Sequence, residues 1–476
     1  MPGKNRGQQN FEKPLGRCRD YGQDRVFRFW DRLDEQQRQR LLDQATAVDL
    51  ATLERTHAAA TGRAGSCPPK LEAVPVVRLP SHGGDAAAAE RAFERGSQGL
   101  AEGRVAALVV AGGQATRLGF DGPKGAYPVG PISERTLFEQ QAQKIRGLRR
   151  RSGHPLPWYI MTSAATDVAT RALFADNDSF GLPSEDVTFF QQGMVQSLDF
   201  EGRMMLERPD RIFENPNGHG GSLTALLSSG ALDDIERRGV DTVFYYQVDN
   251  PLIRIADPTY LGFHLEAEAE MSCKVIRKCD PMEKVGVVAR ADGKIGVIEY
   301  SEIDDEHRFA TDENGELEFW AGNAAIHIFS TAFIRRVAEH ADEFLPYHAS
   351  AKRIPTIDDE GRPVQPSEPN GRKLERFVFD ALGAARPVCL IEGDRSLEYS
   401  PIKNAEGTDS PTSARRDLIA AYRSWLDTAG IELPKGGVAI EIDHSRVDGP
   451  DEARQLGIRR CAEAGETIRV QAREDA

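Results

Sequence analysis

The sequence predicts an α/β protein: a mostly parallel, mixed sheet covered by helices on both faces, with a helical N-terminal segment before it and a small C-terminal domain after it. Two observations carry this reading. From Val105 to Val248, apolar runs of strand length alternate with segments of helical periodicity. Two of those runs, Val105-Ala-Ala-Leu-Val-Val110 and Val243-Phe-Tyr-Tyr-Gln-Val248, are apolar almost throughout, as strands buried on both faces are.

Residues 1 to about 100 read as a helical N-terminal region. Phe27, Trp30, Leu33, Leu41, Leu42, Val48 and Leu50 recur at helical spacing between Phe27 and Leu53. A Gly-, Pro- and Ala-rich loop from Thr61 to about Asp85 precedes a second helical segment near Ala86 to Leu100. Residues 101–385 form the central α/β domain. Its first strand ends at Val110, and its first helix opens at Thr136, where Thr136 and Glu139 have capping-box spacing. Further strands are expected at Trp158 to Thr162, Thr188 to Gln191, Thr242 to Val248 and Ala324 to Phe329, with helices at Asp167 to Asn177 and Gly221 to Gly230. Ala291-Asp-Gly-Lys294 signals a hairpin between two short strands spanning Val285 to Ile298. Asp358 to Arg372, rich in Pro, Gly and charge, reads as loop. Residues 386–476 form the smaller C-terminal region, with helices and short strands near Val438 to Ile442. In such a sheet ligands bind beyond the carboxyl ends of the strands, so the loops after Val110 and Val248 belong on one rim.

Composition narrows the function. The 476 residues carry a net charge of −14, which argues against nucleic-acid or anionic-membrane surfaces. Met1 to Asp24 lacks an apolar signal region and no long uncharged apolar run occurs, so neither a secretory signal nor a membrane span is expected. Cys18, Cys67, Cys273, Cys279, Cys389 and Cys461 are scattered and none forms a C-x-x-C pair, which reads as reduced thiols of a cytoplasmic protein.

The most informative segment is Leu108-Val-Val-Ala-Gly-Gly-Gln-Ala-Thr-Arg-Leu-Gly-Phe-Asp-Gly-Pro-Lys-Gly125. An apolar strand runs into Gly112-Gly113, where missing Cβ atoms let a ligand approach the backbone and consecutive N–H groups can cradle phosphate. Arg117 and Lys124 add two cations. The spacing matches neither a Walker A loop nor G-x-G-x-x-G. This loop resembles the nucleotide-binding signature of the eukaryotic-type UDP-N-acetylglucosamine pyrophosphorylases, within the wider UDP-sugar pyrophosphorylase family. Trp158-Tyr-Ile-Met-Thr-Ser163, Phe189-Phe-Gln-Gln-Gly-Met194, Val297-Ile-Glu-Tyr-Ser-Glu302, Ala321-Gly-Asn323, Phe377-Val-Phe-Asp380 and Ser400-Pro-Ile-Lys-Asn-Ala405 resemble further family blocks in the family's order.

The resemblance implies a Rossmann-like nucleotidyltransferase fold, a catalytic domain over 101–385, and a uridylyltransferase that joins UTP to a sugar 1-phosphate and releases pyrophosphate. Leu108, Ala111, Gly112, Gly113, Gln192 and Gly218 would bind the nucleotide. Arg117, Lys124 and Lys403 would neutralise phosphate charge, Lys403 being contributed by the C-terminal domain. Asp249 would hold Mg²⁺, which favours one or two carboxylates plus phosphate and water. Gly286, Glu299, Asn323 and His219 would meet the sugar. Asn215-Pro-Asn-Gly-His-Gly-Gly221 departs from the N-acetylglucosamine pattern, which has Asp for Asn217 and Asn for His219. Gly-His-Gly is closer to UDP-glucose and broad UDP-sugar pyrophosphorylases. N-acetylglucosamine 1-phosphate is the favoured acceptor and glucose or galactose 1-phosphate the alternative. A non-catalytic nucleotide-sugar module is the reading from another class, disfavoured because Arg117, Lys124, Asp249 and Lys403 are all retained. Monomer and homodimer are both compatible with the sequence. Asp304 and Asp305 read as solvated loop charge, and Cys273 and Cys279 as ordinary thiols rather than metal ligands.

Overall fold

The computed structural model describes residues 6–62, 70–433, 439–455 and 467–470. Cys67, Cys461, part of the Thr61 to Asp85 loop and Val438 lie outside them. The chain divides into two compact units, each assembled from separated segments.

The larger unit, Pro69–Gln192, Ala225–Glu339 and Ala381–Ala476, is built on a ten-stranded sheet. Its strands are β1 (Leu71–Glu72), β2 (Val105–Val110), β3 (Trp158–Thr162), β4 (Val187–Gln191), β5 (Thr242–Gln247), β6 (Met271–Arg277), β7 (Val287–Ala291), β8 (Lys294–Ile298), β9 (Ala321–Ser330) and β10 (Val388–Glu392). The main path runs β1-β7-β9-β5-β2-β3-β4, with β8 on β7, and β6 paired to both β9 and β10. The expected parallel register runs through β5, β2, β3 and β4, and again joins β6 to β10. Antiparallel pairing brings in β9, β1 on β7, and the predicted hairpin, in which Asp292 and Gly293 both take positive φ (45° and 81°) between β7 and β8. Two left-handed turn residues are what a two-residue hairpin of right-handed twist requires.

Local sequence explains the central layers. Val105, Ala106, Ala107, Leu108 and Val109 of β2 and all of β3 are buried, as a strand covered on both faces must be. The following helix, Leu137–Ser152, starts where Thr136 accepts a hydrogen bond from the Glu139 N–H and stops at Gly153 with φ 73°. Only half of the expected capping box forms, because the Glu139 carboxylate turns to Arg135 instead (3.1 Å). Leu137, Phe138, Ala142, Ile145 and Leu148 bury one face against Trp158, Ile160 and Phe174 in a core that also holds Leu418, Tyr422, Trp425 and Ile440.

Those last residues explain a difference from the sequence reading. The segment after Arg386 does not stand apart: β10 completes the sheet, and the helix Pro411–Thr428 packs its apolar face into the sheet's core.

The smaller unit, Met1–Pro68, Gly193–Thr224 and His340–Asp380, surrounds a second core. In it Phe27, Phe29, Leu41 and Leu53 meet Val195, Leu198, Leu206, Ile212 and Leu374. The three segments share one core, so the N-terminal region is not a free-standing domain. Nor is Phe27 to Leu53 one helix. Phe27 and Trp30 sit on short 3₁₀ turns, and Asp34 then opens the helix Glu35–Ala47 through a reciprocal capping box with Gln37. A cap of that strength starts a helix and cannot lie inside one. The loop reading of Asp358 to Arg372 also needs amendment. Pro363–Val364 pairs with Thr356–Ile357, and Gly371 begins a strand that runs to Arg376 beside Tyr347–Lys352.

Candidate active site

Parallel pairing sets the rim of the larger unit. Val110 of β2 lies opposite Gln247 of β5, and the Val248 N–H donates to the Val110 carbonyl (3.1 Å), so the loops that follow leave side by side. The first loop folds back on itself. The Ala111 N–H is tied to the Met161 carbonyl (2.8 Å), Ala115 N–H to Gly122 (3.0 Å), and Lys124 N–H to Gly113 (2.9 Å). Lys124 thereby returns to the strand end, and its ammonium meets the Asp249 carboxylate (3.3 Å) and the Ile402 carbonyl (3.2 Å).

Lys403, 154 residues beyond Asp249 in sequence, reaches the same place through backbone ties. The Ile402 N–H donates to the Asp249 carbonyl (2.9 Å). The Asn250 side chain donates to the Glu398 carbonyl (2.7 Å) and accepts from the Ser400 N–H (3.1 Å). Asp409, with φ 54°, turns its carbonyl onto the N–H groups of both Lys403 (2.7 Å) and Asn404 (2.9 Å). Partial burial works against the Lys403 charge, but Tyr399, which also hydrogen-bonds it, and the Asp249 and Asp409 carboxylates outweigh that and hold its pKa above the ordinary value. Lys124, Asp249 and Lys403 are therefore one cluster. Arg117 is different: it stands exposed on the 3₁₀ turn Thr116–Leu118 and makes no ion pair among the described residues.

A second group lies at the head of the same loop. A Cβ on Gly112 would stand 2.9 Å from the Gln192 Oε1 and 3.3 Å from the Ser163 Cβ, so glycine here admits the Gln192 carboxamide to the backbone. Ser163 fixes the approach by donating to the Gly112 carbonyl (2.7 Å). Leu108 and Ala111 are fully buried beneath it, and Gly113 faces open space.

The third group is also brought together. The Asn323 N–H donates to the Gly286 carbonyl (2.8 Å), and a Cβ on Gly286 would lie 3.5 Å from the Glu299 Oε1. A β-bulge between Lys274 and Val275 breaks the β6–β9 register, and Ala325 opposite takes φ 55°. Bulges re-aim side chains. Here the Asn323 Oδ1 turns back to accept from the Ala325 N–H (3.0 Å), so the donor group of its side chain is the amide nitrogen.

Gly218 and His219 belong to the smaller unit. Gly218 has φ 86°, and a Cβ there would lie 2.4 Å from the Arg376 carbonyl, so no other residue fits. The turn is clamped on both sides, from Arg376 N–H to Asn217 and from Gly220 N–H to Arg376 (2.8 Å each). His219 stacks on Phe377 (5.4 Å, 23°) and leans on Phe379, while its Nδ1 accepts from the Val378 N–H (3.2 Å). Burial, with the nearby His348, pushes its pKa down to about 4, so the ring is neutral at pH 7 and carries its proton on Nε2.

No group of three His, Cys, Asp or Glu side chains is arranged as a metal site among the described residues. Asp249 fits Mg²⁺ only as one carboxylate of a sphere that phosphate oxygens complete. Asp304, read as loop charge, caps the short helix Asp305–Arg308. Cys273 is buried and Cys279 exposed. Sequence reasoning missed Tyr399, Asp409, Asn250 and Ser163. Tyr399 could have been suspected from its place four residues before Lys403, but nothing local marks Asp409. No helix among the described residues is long and apolar enough to cross a membrane.

A parallel half-sheet, a glycine loop at its rim and a cluster of lysines about one carboxylate define a nucleotidyltransferase. Comparison with known proteins narrows the class. The description of the UTP–glucose-1-phosphate uridylyltransferase family matches residues 86–413, and the chain belongs to that family. It is 39% identical to UDP-N-acetylhexosamine pyrophosphorylase-like protein 1 of Xenopus tropicalis over 92% of this chain and 89% of that one. It is 38% identical to the UDP-N-acetylglucosamine pyrophosphorylase of Saccharomyces cerevisiae over 73% and 74%. The solved structure of the Trypanosoma brucei uridine diphosphate N-acetylglucosamine pyrophosphorylase superposes with a TM-score of 0.85 at 27% identity, covering 100% of both chains.

Proposed function

We propose that the protein transfers a uridylyl group from UTP to a sugar 1-phosphate, with N-acetylglucosamine 1-phosphate as the preferred acceptor. The observation that carries this is the convergence of Lys124, Asp249 and Lys403, from three distant loops, on one strand rim. A sugar-phosphate oxygen attacks the α-phosphorus of UTP in line. A P–O bond forms to it as the bond from the α-phosphorus to the bridging oxygen breaks, and the electron pair leaves with pyrophosphate. The nucleophile is already an anion near neutral pH, so no general base is needed. The obstacle is repulsion between two polyanions. Lys124 and Lys403 lower it, with Arg117 at the loop tip closing on the phosphates. Asp249 would hold Mg²⁺, which supplies positive charge to the phosphate oxygens. Lys124 in turn exchanges its carboxylate partner for phosphate. Gly112, Gly113 and Gln192 hold the uracil with Leu108 and Ala111. Glu299 accepts from sugar hydroxyls, and Asn323 donates to them.

The relatives named above favour the N-acetyl sugar. The Gly-His-Gly turn favours UDP-glucose or UDP-galactose synthesis instead. A panel of sugar 1-phosphates with UTP and Mg²⁺, scored by pyrophosphate release, decides between them; turnover of glucose 1-phosphate with N-acetylglucosamine 1-phosphate inert overturns the preferred acceptor. Tight UDP-sugar binding without turnover would restore the non-catalytic reading. The cytoplasmic setting belongs to the same proposal and is supported by the free thiols of Cys18, Cys273, Cys279 and Cys389.

A further inference from the structure

One buried charge cluster of the larger unit has no part in the chemistry above. The Lys274 ammonium, with the side chain 2% exposed, meets Asp257 (2.9 Å) and the Glu398 carboxylate, whose side chains are 8% and 6% exposed. The Tyr260 ring lies 4.9 Å from the same ammonium. Burying three ionised groups is costly unless each finds a partner, and an apolar trio would fill the same space without that cost. The arrangement calls for a reason beyond stability.

Its position supplies one. Glu398 begins the segment that delivers Lys403. Its second oxygen accepts from the Asp394 N–H (3.2 Å), and its carbonyl is taken by Asn250, the neighbour of Asp249. Lys274 stands at the β6 bulge, and the next residue, Val275, pairs with Asn323. The Gly393 turn closes over its stem, where a Cβ would lie 3.0 Å from the Lys274 Cδ. One lysine therefore grips the root of the phosphate-binding loop while its backbone shapes the bulge that aims the sugar-binding asparagine.

We propose that Lys274 and Glu398 are positioning residues that set where Lys403 stands relative to the acceptor sugar. Neither touches substrate. Their ion pair fixes the Glu398–Lys403 segment against β6, so acceptor phosphate and lysine are presented in register. Burial works against the Lys274 charge, but Asp257 and Glu398 outweigh it and keep its pKa above the ordinary value, so the grip holds throughout the neutral range.

The inference rests on the uridylyltransferase reading, and its test separates the two. The variants are Glu398→Gln, Lys403→Ala and the double variant, each checked for folding by its thermal transition and assayed with UTP, Mg²⁺ and N-acetylglucosamine and glucose 1-phosphates. Glu398→Gln retains the side-chain shape and leaves Asp257 to Lys274. It should lower kcat on the order of tenfold, less than the 10²-fold that a 1 Å misplacement can cost, with both KM values little changed. In the Lys403→Ala background the same substitution should lower kcat less than about twofold, because the group it positions is gone. An equal loss in both backgrounds, or a wild-type kcat in the single variant, overturns the proposal. Absence of turnover by the wild-type protein with either sugar instead overturns the function. A second readout needs no turnover: acylation of Lys403, followed by mass spectrometry in the intact protein, should change rate in Glu398→Gln and in Lys274→Arg. An unchanged rate in both also sinks the inference.

Discussion

Two groups in the larger unit, the proposed phosphate cluster and the proposed sugar group, are built by opposite means. Lys124, Asp249 and Lys403 are held by charge and by loops that meet only through tertiary contacts. Gly286, Glu299 and Asn323 are held by one hairpin and one bulge, so local backbone geometry does most of the positioning. In the proposed function the first group receives the triphosphate, and phosphate displaces the Asp249 carboxylate from Lys124. The second is a fixed template of neutral and single-charge hydrogen-bonding groups. Substitutions should therefore act differently on the two, with kcat reporting the charged cluster and acceptor KM the template.

The largest effect is expected at the lysines. Lys403→Ala and Lys124→Ala each remove charge that is most valuable in the transition state, and each should lower kcat about a hundredfold, on the order of 3 kcal/mol, with smaller changes in KM. Wild-type kcat in either would refute the cluster. Asp249→Asn tests the metal proposal within it: the variant should need far higher Mg²⁺ for half-maximal rate, whereas an unchanged Mg²⁺ titration would remove Asp249 from that role. Arg117→Ala should be milder, because Arg117 sits exposed at a loop tip, and UTP KM should rise by about tenfold or less.

The template side is sharpened by Asn323→Ala, with Gly112→Ala in the proposed uracil group as its counterpart. Asn323→Ala should raise the sugar 1-phosphate KM about tenfold, near 1.4 kcal/mol, while leaving UTP KM alone. Gly112→Ala should do the reverse. Its new Cβ, 2.9 Å from the Gln192 Oε1, displaces the carboxamide proposed to hold uracil and raises UTP KM. Steady-state kinetics with each substrate varied in turn reads both; parallel changes in the two KM values would dissolve the distinction between the groups.

Sequence legibility follows the same division. The parallel strands were visible because β2, β3 and β5 are apolar almost throughout, and the hairpin because Asp292-Gly293 fits one turn type. Lys124 stood out because it shares a loop with Gly112 and Gly113. Lys403 was reached only by family resemblance, since its approach to Asp249 depends on Asn250 and Asp409, which no local pattern singles out. The interleaved units were not legible at all. Phe27 and Leu41 share a core with Leu206 and Leu374, and a linear reading pairs apolar residues only with their neighbours. The Phe27 to Leu53 stretch fails for a related reason: the spacing is helical on both sides of Asp34, and only the cap shows that the helix begins there.

The smallest expected effect concerns pH, and it tests whether His219 is neutral in the folded protein. Its pKa is held down at about 4 by burial and by His348, against an unfolded value near 6.5. The unfolded chain therefore takes up the proton first. The stability this contributes is complete above about pH 6.5 and is lost as pH falls toward 4. His264, buried against Ser272 and likewise lowered to about 4, acts in the same direction. Thermal melts should shift downward on acidification through that window, and less so in His219→Asn, while kcat measured from pH 6.5 to 8 should carry no limb that His219→Asn removes. A proton uptake near pH 6.5 assigned to His219 by NMR would mean the ring becomes charged in the folded protein, a cation against the aromatic faces of Phe377 and Phe379.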